Sequence, residues 1–515
     1  MVYELSGLWR SLGRCGVLTT IAVIVFLLPA ASFGLAGGPS QNTKPNILIF
    51  LSDDQASSTM GCMGNPVVQT PNLDRLARQG ILFRNAFVTT SVCSVSRASL
   101  LTGQYASRHG IENFSDSLSL AALSQTYPSL LKDGGYYTGF IGKWGVDPRN
   151  KSGMAMVAES FDYWAGASHQ ANYWHQKRCL YVRHNGIRKK QDGICDCPSA
   201  GRGKSGPRPR TGRAHLSEPL HLTTEIIPAK AEQFLRSRDV NRPFCLSISF
   251  KAPHGPLEDF SPQLAKMYED SVMPISRTAT PELADDLPRF LQSTLSGKRG
   301  RAYVSNRKIR GRLQRQLRHY YRHITGLDLA VGRILGRLST LNLDGNTVII
   351  FCSDNGMMFG EHGLGGKWLM YEESIRVPMI IYDPRVISSG SGRVSDEMVL
   401  NIDVAPTIME FAGLNAPLSM QGQSMVSLLT EPSMAFREDW FYEHHALSDH
   451  IPASEGVRMR NWKYMRFINE DPIYEALYDL ESDPQETQNL ASLKQYNHIL
   501  SNLRARCAQL KQAVK

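Results

Sequence analysis

The stretch P-N-I-L-I-F-L-S-D-D, from Pro45 to Asp54, decides the fold. Its apolar run is short, rich in β-formers and closed by turn residues, the pattern of a strand buried on both faces. Two other stretches repeat it. T-V-I-I-F-C, from Thr347 to Cys352, ends at Ser353-Asp354-Asn355-Gly356, and P-F-C-L-S-I-S-F, from Pro243 to Phe250, ends at Lys251-Ala252-Pro253-His254. Amphipathic helical patterns precede them, Ile226–Arg236 before one and His319–Leu341 before the other. Helix alternating with strand argues for an open, mostly parallel sheet with helices on both sides. In such sheets ligands gather beyond the carboxyl ends of the strands, and all three polar clusters fall there.

Working outward, the helical pattern of Asn401–Ala412 stops at Gly413, and from Asp439 the texture changes. W-F-Y-E-H, V-R-M-R-N-W-K-Y-M-R-F and A-L-Y-D-L alternate as strands of a small antiparallel sheet, with a helix near Tyr496–Val514. The fold class is therefore α/β: a large, mostly parallel or mixed sheet sandwiched by helices, then a smaller C-terminal α+β part. The boundaries expected are a leader over 1–37, the α/β domain over 38–430 and the α+β subdomain over 431–515. Lys190–Arg213, rich in Gly, Pro and basic residues, reads as an inserted loop, and Pro256–Arg310 as irregular connection.

The chain has 515 residues, 42% hydrophobic and 20% charged, which is ordinary for a globular protein and excludes overall disorder. Arg10 and Arg14 precede an apolar run, Val17 to Ala31, and then the small residues Ser32, Gly34 and Ala36. That order is a secretory signal peptide, and the run is short for a span of about 20 residues. The expectation is export to the periplasm or the outside, with no stable membrane span after cleavage. Beyond the leader and Cys93 the cysteines are Cys62, Cys179, Cys195, Cys197, Cys245, Cys352 and Cys507, an odd number without a disulfide framework. Cys179 with Cys195 or Cys197 is the pairing to expect. The net charge of +10 concentrates in Arg202–Arg213 and Lys298–Arg322, which are solvated surface segments or an attraction for a polyanion. No nucleic-acid recognition motif accompanies it, so nucleic acid is not an expected partner.

Asp53, Asp54, Asp354 and Asn355 supply three carboxylates and one amide at two strand ends. Adjacent carboxylates repel one another unless a cation neutralises them, and hard oxygen ligands suit Ca²⁺ or, less well, Mg²⁺. A second stretch, S-V-C-S-V-S-R-A-S-L-L-T-G from Ser91 to Gly103, sets Cys93 four residues ahead of Arg97 where a helix begins. Free N–H groups and the helix dipole make that end favourable to anions.

These motifs resemble those of the type I sulfatases, of the alkaline-phosphatase-like superfamily. The signature C-x-P/A-x-R is matched at Cys93 and Arg97, with Val95 standing where the family has proline or alanine. The resemblance extends through T-P-N-L-D-R-L-A at 70–77, G-Y-Y-T-G-F-I-G-K-W at 135–144, S-F-K-A-P-H-G-P at 249–256, G-K-W at 366–368, E-S-I-R-V-P at 373–378 and A-L-Y-D-L-E-S-D-P-Q-E at 476–486. It implies that a maturation enzyme oxidises Cys93 to formylglycine, an aldehyde working as its hydrate. Asp53, Asp54, Asp354, Asn355 and the modified residue 93 are the implied ligands of a divalent cation, usually Ca²⁺. Lys143, Lys251 and Lys367 are implied to hold the sulfate, Arg97 to orient the nucleophile and His254 to protonate the departing alcohol oxygen. The family commonly reads G-K-W-H where this chain has Gly142-Lys143-Trp144-Gly145, so one imidazole is missing. His109 has no role that the resemblance carries over.

For the substrate the expectation is a sulfated carbohydrate. Glu443, His444, His445 and Arg458, with His450 and Glu455, flank the first C-terminal strands, and E-H-H followed by I-P-A-S-E-G-V-R is similar to N-acetylglucosamine-6-sulfatase-like enzymes. Two other readings share the scaffold: a phosphonate or phosphodiester hydrolase, and a sulfated-glycan binding protein that has lost turnover. Val95 and Gly145 favour the binding protein; the intact acidic residues and lysines favour an enzyme.

Overall fold

In the computed structural model the described residues are 44–146, 151–167, 170–174, 181–184, 220–305, 307–386, 392–445 and 450–515. The leader, the Cys179, Cys195 and Cys197 pairing and the basic segment 202–213 lie outside them.

The three apolar runs become neighbouring strands at the centre of one sheet. Its strands are β1 (Asn46–Asp53), β2 (Ile81–Phe87), β3 (Tyr137–Lys143), β4 (Tyr163–Ala167), β5 (Tyr181–His184), β6 (Phe244–Pro253) and β7 (Thr347–Ser353). A two-stranded ribbon follows, β8 (Met358–Phe359) with β9 (Gly365–Gly366), and then β10 (Arg376–Tyr382) and β11 (Arg393–Leu400) complete the large sheet. Among the described residues nine strands stand in the order β11-β2-β10-β7-β1-β6-β3-β4-β5. β1 runs parallel to both β6 and β7, β3 parallel to β6, and β4 parallel to β3. β10 opposes β2 and β7, and β5 opposes β4, so the sheet is mixed with a parallel centre.

Burial explains why β1 reads as a continuous apolar run. Ile47, Ile49 and Leu51 pack into the core on one face, Leu48 and Phe50 into the core on the other. One face is covered by Pro71–Gln79, Ile227–Ser237 and the long helix Arg307–Thr340, which contribute Leu73, Phe234 and Ile334 among others. The other is covered by Cys93–Thr102, Tyr127–Asp133 and Val404–Phe411. Because the central strands are parallel, the ends of β1, β3, β6 and β7 open on one edge, where Asp53, Asp54, Lys143, His254, Asp354 and Asn355 follow.

Residues 439–479 form the expected antiparallel sheet: β12 (Asp439–His444), β13 (Ser454–Met459), β14 (Trp462–Phe467) and β15 (Tyr474–Asp479), in that order. The helix Asn497–Ala513 packs on it through Leu500, Leu503 and Cys507. This sheet joins the larger one through hydrogen bonds: Glu443 N–H to the Thr89 carbonyl at 3.1 Å and the Tyr442 hydroxyl to the Trp368 carbonyl at 2.7 Å. The region 256–310 corrects its reading as connection. It contains the helices Pro281–Asp286, Arg289–Ser293 and Leu295–Val304, and the hydroxyls of Thr280 and Thr294 cap two of them. Among the described residues no helix is long and apolar enough to cross a membrane.

Candidate active site

Cys93 begins a helix every residue of which is buried, so its thiol is fixed by the core beneath it. Its Sγ accepts a hydrogen bond from Lys367 Nζ at 3.2 Å and lies within 4.8 Å of carboxylate oxygens of Asp53 and Asp354. One turn on, Arg97 reaches under the site. Its Nε donates to Asp354 Oδ2 at 2.7 Å, and its Nη1 to the Lys143 carbonyl at 2.9 Å and to the Ser249 hydroxyl. Lys143 Nζ meets Asp53 Oδ2 at 2.5 Å, and Lys367 pairs with Asp54 Oδ1. His254 stands on the open side, a quarter exposed, with Nε2 3.7 Å from Asp54 Oδ2 and Nδ1 2.9 Å from the Gly255 carbonyl. The sequence-derived cluster of Asp53, Asp54, Cys93, Arg97, Lys143, Lys251, His254, Asp354, Asn355 and Lys367 is thus gathered at one strand edge.

Among the described residues two buried oxygens of this cluster have no partner, Asp53 Oδ1 and Asn355 Oδ1. An unpaired buried polar atom is costly, so each points to a missing electropositive partner. Burial, and after it the charge of Asp53, pushes the Asp354 carboxyl up to about 6. Burial also works against the Asp53 charge, but Lys143, His254, Arg97 and Lys367 hold that carboxyl well below the usual range. Oxygen donors, crowded acids and two orphaned oxygens fit a hard divalent cation. Burial lowers Lys251 to about 8 and lowers His254 as well, its neighbours Asp53 and Asp54 opposing the shift.

Gln170 was not singled out in the sequence. Its side-chain carbonyl accepts from Lys143 Nζ at 2.8 Å and its backbone carbonyl from Lys251 Nζ at 2.9 Å, so one residue spaces both lysines. It follows β4, and its place beyond a parallel strand was the available signal. Tyr173 supports Lys251 and His254: its ring lies 5.2 Å from Lys251 Nζ, and its hydroxyl donates to the His254 carbonyl. Tyr320, from the long helix, donates to the Asp54 carbonyl at 2.6 Å and pins that residue in a left-handed conformation, φ 64°.

Gly145, where the resemblance expects histidine, has φ 78°, and a Cβ there would lie 2.6 Å from Arg97 Cδ. Val95 is fully buried in the helix core. His109 is structural: its Nδ1 accepts from the Ile111 N–H at 3.1 Å and its Nε2 meets the Ser99 hydroxyl at 3.0 Å. Glu443, His444 and His445 line one cavity of about 300 Å³ at the end of β12. Arg458 is placed apart from them, which corrects the grouping. Its guanidinium is spent on Glu372 Oε1 at 3.0 Å and lies over the Phe87 ring at 5.1 Å.

A mixed sheet with a cysteine, oxygen donors and lysines at its parallel edge defines a hydrolase of the sulfatase type. The sulfatase family model matches residues 45–414, and a second, described as N-sulphoglucosamine sulphohydrolase, C-terminal, matches 360–513. The chain belongs to the sulfatase family and is a sulfuric ester hydrolase. It is 30% identical to an N-acetylglucosamine-6-O-sulfatase of Bacteroides thetaiotaomicron, over 91% of this chain and 87% of that protein. It is 31% identical to an arylsulfatase of Clostridium perfringens, over 90% and 93%. A solved structure of a protein in complex with its substrate D-glucosamine-2-N,6-O-disulfate matches at a TM-score of 0.73 and 25% identity, covering 92% of this chain and 98% of that one.

Proposed function

We propose that this enzyme removes sulfate from a sulfated carbohydrate, working outside the cytosol after its leader, residues 1–37, is cleaved. In this reading Cys93 is oxidised to formylglycine by a maturation enzyme, and Asp53, Asp54, Asp354 and Asn355 hold Ca²⁺ rather than Mg²⁺. The observation that carries it is the meeting of Cys93 Sγ, the Asp53 and Asp354 oxygens and Lys367 Nζ at one buried point. Once bound, the cation supplies Lewis-acid polarisation and the aldehyde hydrate a nucleophilic oxygen.

The chain's own residues do the rest. Lys143, Lys251 and Lys367 stand around the position a sulfate group takes, offsetting charge on its oxygens where water is largely excluded. Arg97, tied to Asp354, the Lys143 carbonyl and Ser249, cannot swing, so it holds residue 93 in line. With Nδ1–H donating to the Gly255 carbonyl, the second proton of a charged His254 sits on Nε2, facing the site, where it protonates the departing alcohol oxygen. The carbohydrate class is supported by the N-acetylglucosamine-6-O-sulfatase relative, by the glucosamine disulfate bound in the similar structure, and by the cavity at Glu443, His444 and His445.

The test joins two measurements on protein secreted from a host that carries the maturation enzyme. The peptide containing residue 93 should have the mass of the aldehyde form, and the protein should hydrolyse 4-methylumbelliferyl sulfate faster than a matched phosphodiester. An unmodified thiol on an inactive protein overturns the reading.

A further inference from the structure

Between Leu287 and Leu327 the chain carries eleven lysines and arginines and not one aspartate or glutamate. The net charge of the whole chain is +10, so this stretch alone outweighs all the rest. Nine of the eleven are arginines, whose planar fork takes two oxygens of a sulfate or phosphate group at once. Most of the stretch folds into the helix Leu295–Val304 and the first half of the helix Arg307–Thr340, which pack on one another.

The long helix turns Leu313, Leu317, Tyr320 and Ile324 into an apolar cluster, and Arg312 and Arg315 are left exposed beside it. Lys298 and Arg299 are exposed on the neighbouring helix. Among the described residues none of these four has a carboxylate partner, whereas Arg301 takes Asp285 at 2.6 Å. Arg318 and Arg322 are spent on the carbonyls of Ser271 and Met267, at 3.4 and 3.0 Å. The first turn of the long helix adds Arg307, Lys308 and Arg310 and holds no acid, at the end where the helix dipole already disfavours cations. Like charges three residues apart, as at Arg312, Arg315 and Arg318, weaken a helix further, so the run works against folding. A surface that needs only to be solvated mixes both signs.

Two contacts bring this face to the catalytic edge. The Arg299 guanidinium lies 5.2 Å from the centre of the Trp368 ring, and Trp368 follows Lys367 directly. On the long helix Tyr320 holds the Asp54 carbonyl, and Arg312 lies about two turns before it, about 12 Å along the axis. Burial raises the Tyr303 phenol, and Arg299 and Arg312 both oppose that rise, so charges from the two helices flank one ring. The carboxylates that act on this region are Glu361 on Tyr303, Glu258 on His319 and Glu269 on Arg322.

We propose that the face formed by Lys298, Arg299, Arg312 and Arg315 is a docking surface for a polysulfated carbohydrate chain, holding the polymer while one sulfate ester enters the active site. The proposal rests on the sulfated-carbohydrate reading above, which makes a sulfated chain rather than a nucleic acid the occupant. Such a surface concentrates its substrate and acts on association, so it serves polymers, does nothing for small esters and is weakened by salt.

The test compares wild type with Arg312→Glu/Arg315→Glu, with Arg312→Lys/Arg315→Lys and with Arg75→Glu/Arg78→Glu. The last pair is exposed on the helix Pro71–Gln79 and makes the same change of charge elsewhere. Each protein is measured for affinity to dextran sulfate, unsulfated dextran and single-stranded DNA. Each is also measured for turnover of 4-methylumbelliferyl sulfate and of a panel of sulfated mono- and polysaccharides. Wild type should bind dextran sulfate and not dextran, with affinity falling about tenfold or more between roughly 50 and 200 mM NaCl. The glutamate pair at 312 and 315 should raise that Kd, and the KM for the best polysaccharide, about tenfold or more with kcat little changed. The lysine pair should keep most of the affinity. Aryl sulfate turnover should stay within about twofold in every variant, which also certifies that they fold. Unchanged dextran sulfate affinity in Arg312→Glu/Arg315→Glu, an equal loss in Arg75→Glu/Arg78→Glu, or tighter binding of DNA than of dextran sulfate overturns the proposal. Turnover of sulfated monosaccharides with polysaccharides left untouched overturns it too, while the sulfated-carbohydrate reading stands. Inactivity of the wild type on every sulfated carbohydrate fails that reading instead, and the docking role goes with it.

Discussion

Gly145 and Arg97 occupy one volume: a Cβ on Gly145 would come within 2.6 Å of Arg97 Cδ and 3.1 Å of its Nε. The glycine is also at φ 78°, a conformation that other residues adopt at a cost. The absence of an imidazole here is thus built into the seat of Arg97. Restoring it by Gly145→His should not improve the enzyme. The expected outcome is displacement of Arg97 from Asp354 and a fall in kcat of about tenfold or more, since small misplacements at a reacting centre are expensive. Gly145→Ala separates crowding from chemistry and should lose activity in the same direction. A gain in kcat for Gly145→His, measured on an aryl sulfate, would show that the seat is looser than these contacts.

Removal of the cation is the second expectation. Asp53 Oδ1 and Asn355 Oδ1 lack partners among the described residues, so chelation should lower the melting temperature, and added Ca²⁺ should restore it in a concentration-dependent way. Asn355→Leu, which removes one orphaned oxygen at similar volume, should weaken calorimetric Ca²⁺ affinity by about tenfold or more. Equal melting temperatures with and without chelator would count against a cation at this edge.

The readable and unreadable parts of this molecule divide along a physical line. β1, β6 and β7 could be read because strands buried on both faces need apolar side chains at successive positions, and because Asp53-Asp54, His254 and Asp354-Asn355 follow them directly in sequence. The caps at Thr280 and Thr294 were equally visible, yet the polar surface around them hid short helices whose order comes from tertiary packing. Ser249 and Tyr320 were out of reach for another reason. Each acts by touching residues far away in the chain: Tyr320 holds Asp54 across 266 positions, and Ser249 holds Arg97 across 152. No local spacing records such contacts. Arg458 shows the reverse error, since its nearness in sequence to the E-H-H segment suggested a shared pocket that Glu372 and Phe87 prevent.

Gln170 supplies a prediction about the lysines. Because its two carbonyls space Lys143 and Lys251, Gln170→Ala removes only the side-chain acceptor for Lys143 and keeps the backbone acceptor for Lys251. The expected result is a moderate fall in kcat/KM, about three- to tenfold, from one lost charge-assisted hydrogen bond. Gln170→Glu should hold the ammonium but add negative charge beside an anionic substrate, raising KM further than the alanine does. Steady-state kinetics on one sulfate ester checks the order.

The two sheets are clasped by Lys463, which is fully buried. Its Nζ reaches Glu372 Oε1 at 2.7 Å, Glu486 Oε1 at 2.5 Å and the Met370 carbonyl at 2.9 Å, three residues from Lys367. Lys463→Met leaves the buried Glu486 carboxylate without its cation beside Glu372, which keeps Arg458, and should destabilise the fold by about 3–5 kcal/mol in chemical denaturation. Adding Glu486→Gln to that variant should recover part of the loss. A double variant as unstable as the single one would place the cost in packing rather than charge.

His109 predicts how stability responds to acid. Its Nδ1 already accepts from Ile111, so a second proton on the ring breaks that bond inside the core, and burial lowers its titration from the ordinary 6.5 to about 3. Between those two values the unfolded chain binds a proton that the folded chain refuses. The stability His109 contributes is therefore complete above about pH 6.5 and is lost as pH falls toward 3, at up to about 1.4 kcal/mol per pH unit. His323 and His221, lowered by burial to about 3 and about 4, act in the same sense. Melting temperature should fall steadily from pH 7 to pH 4.5, and His109→Gln, starting from a lower value at pH 7, should fall less steeply. A parallel pH dependence in wild type and variant would remove His109 from the acid-sensitive set.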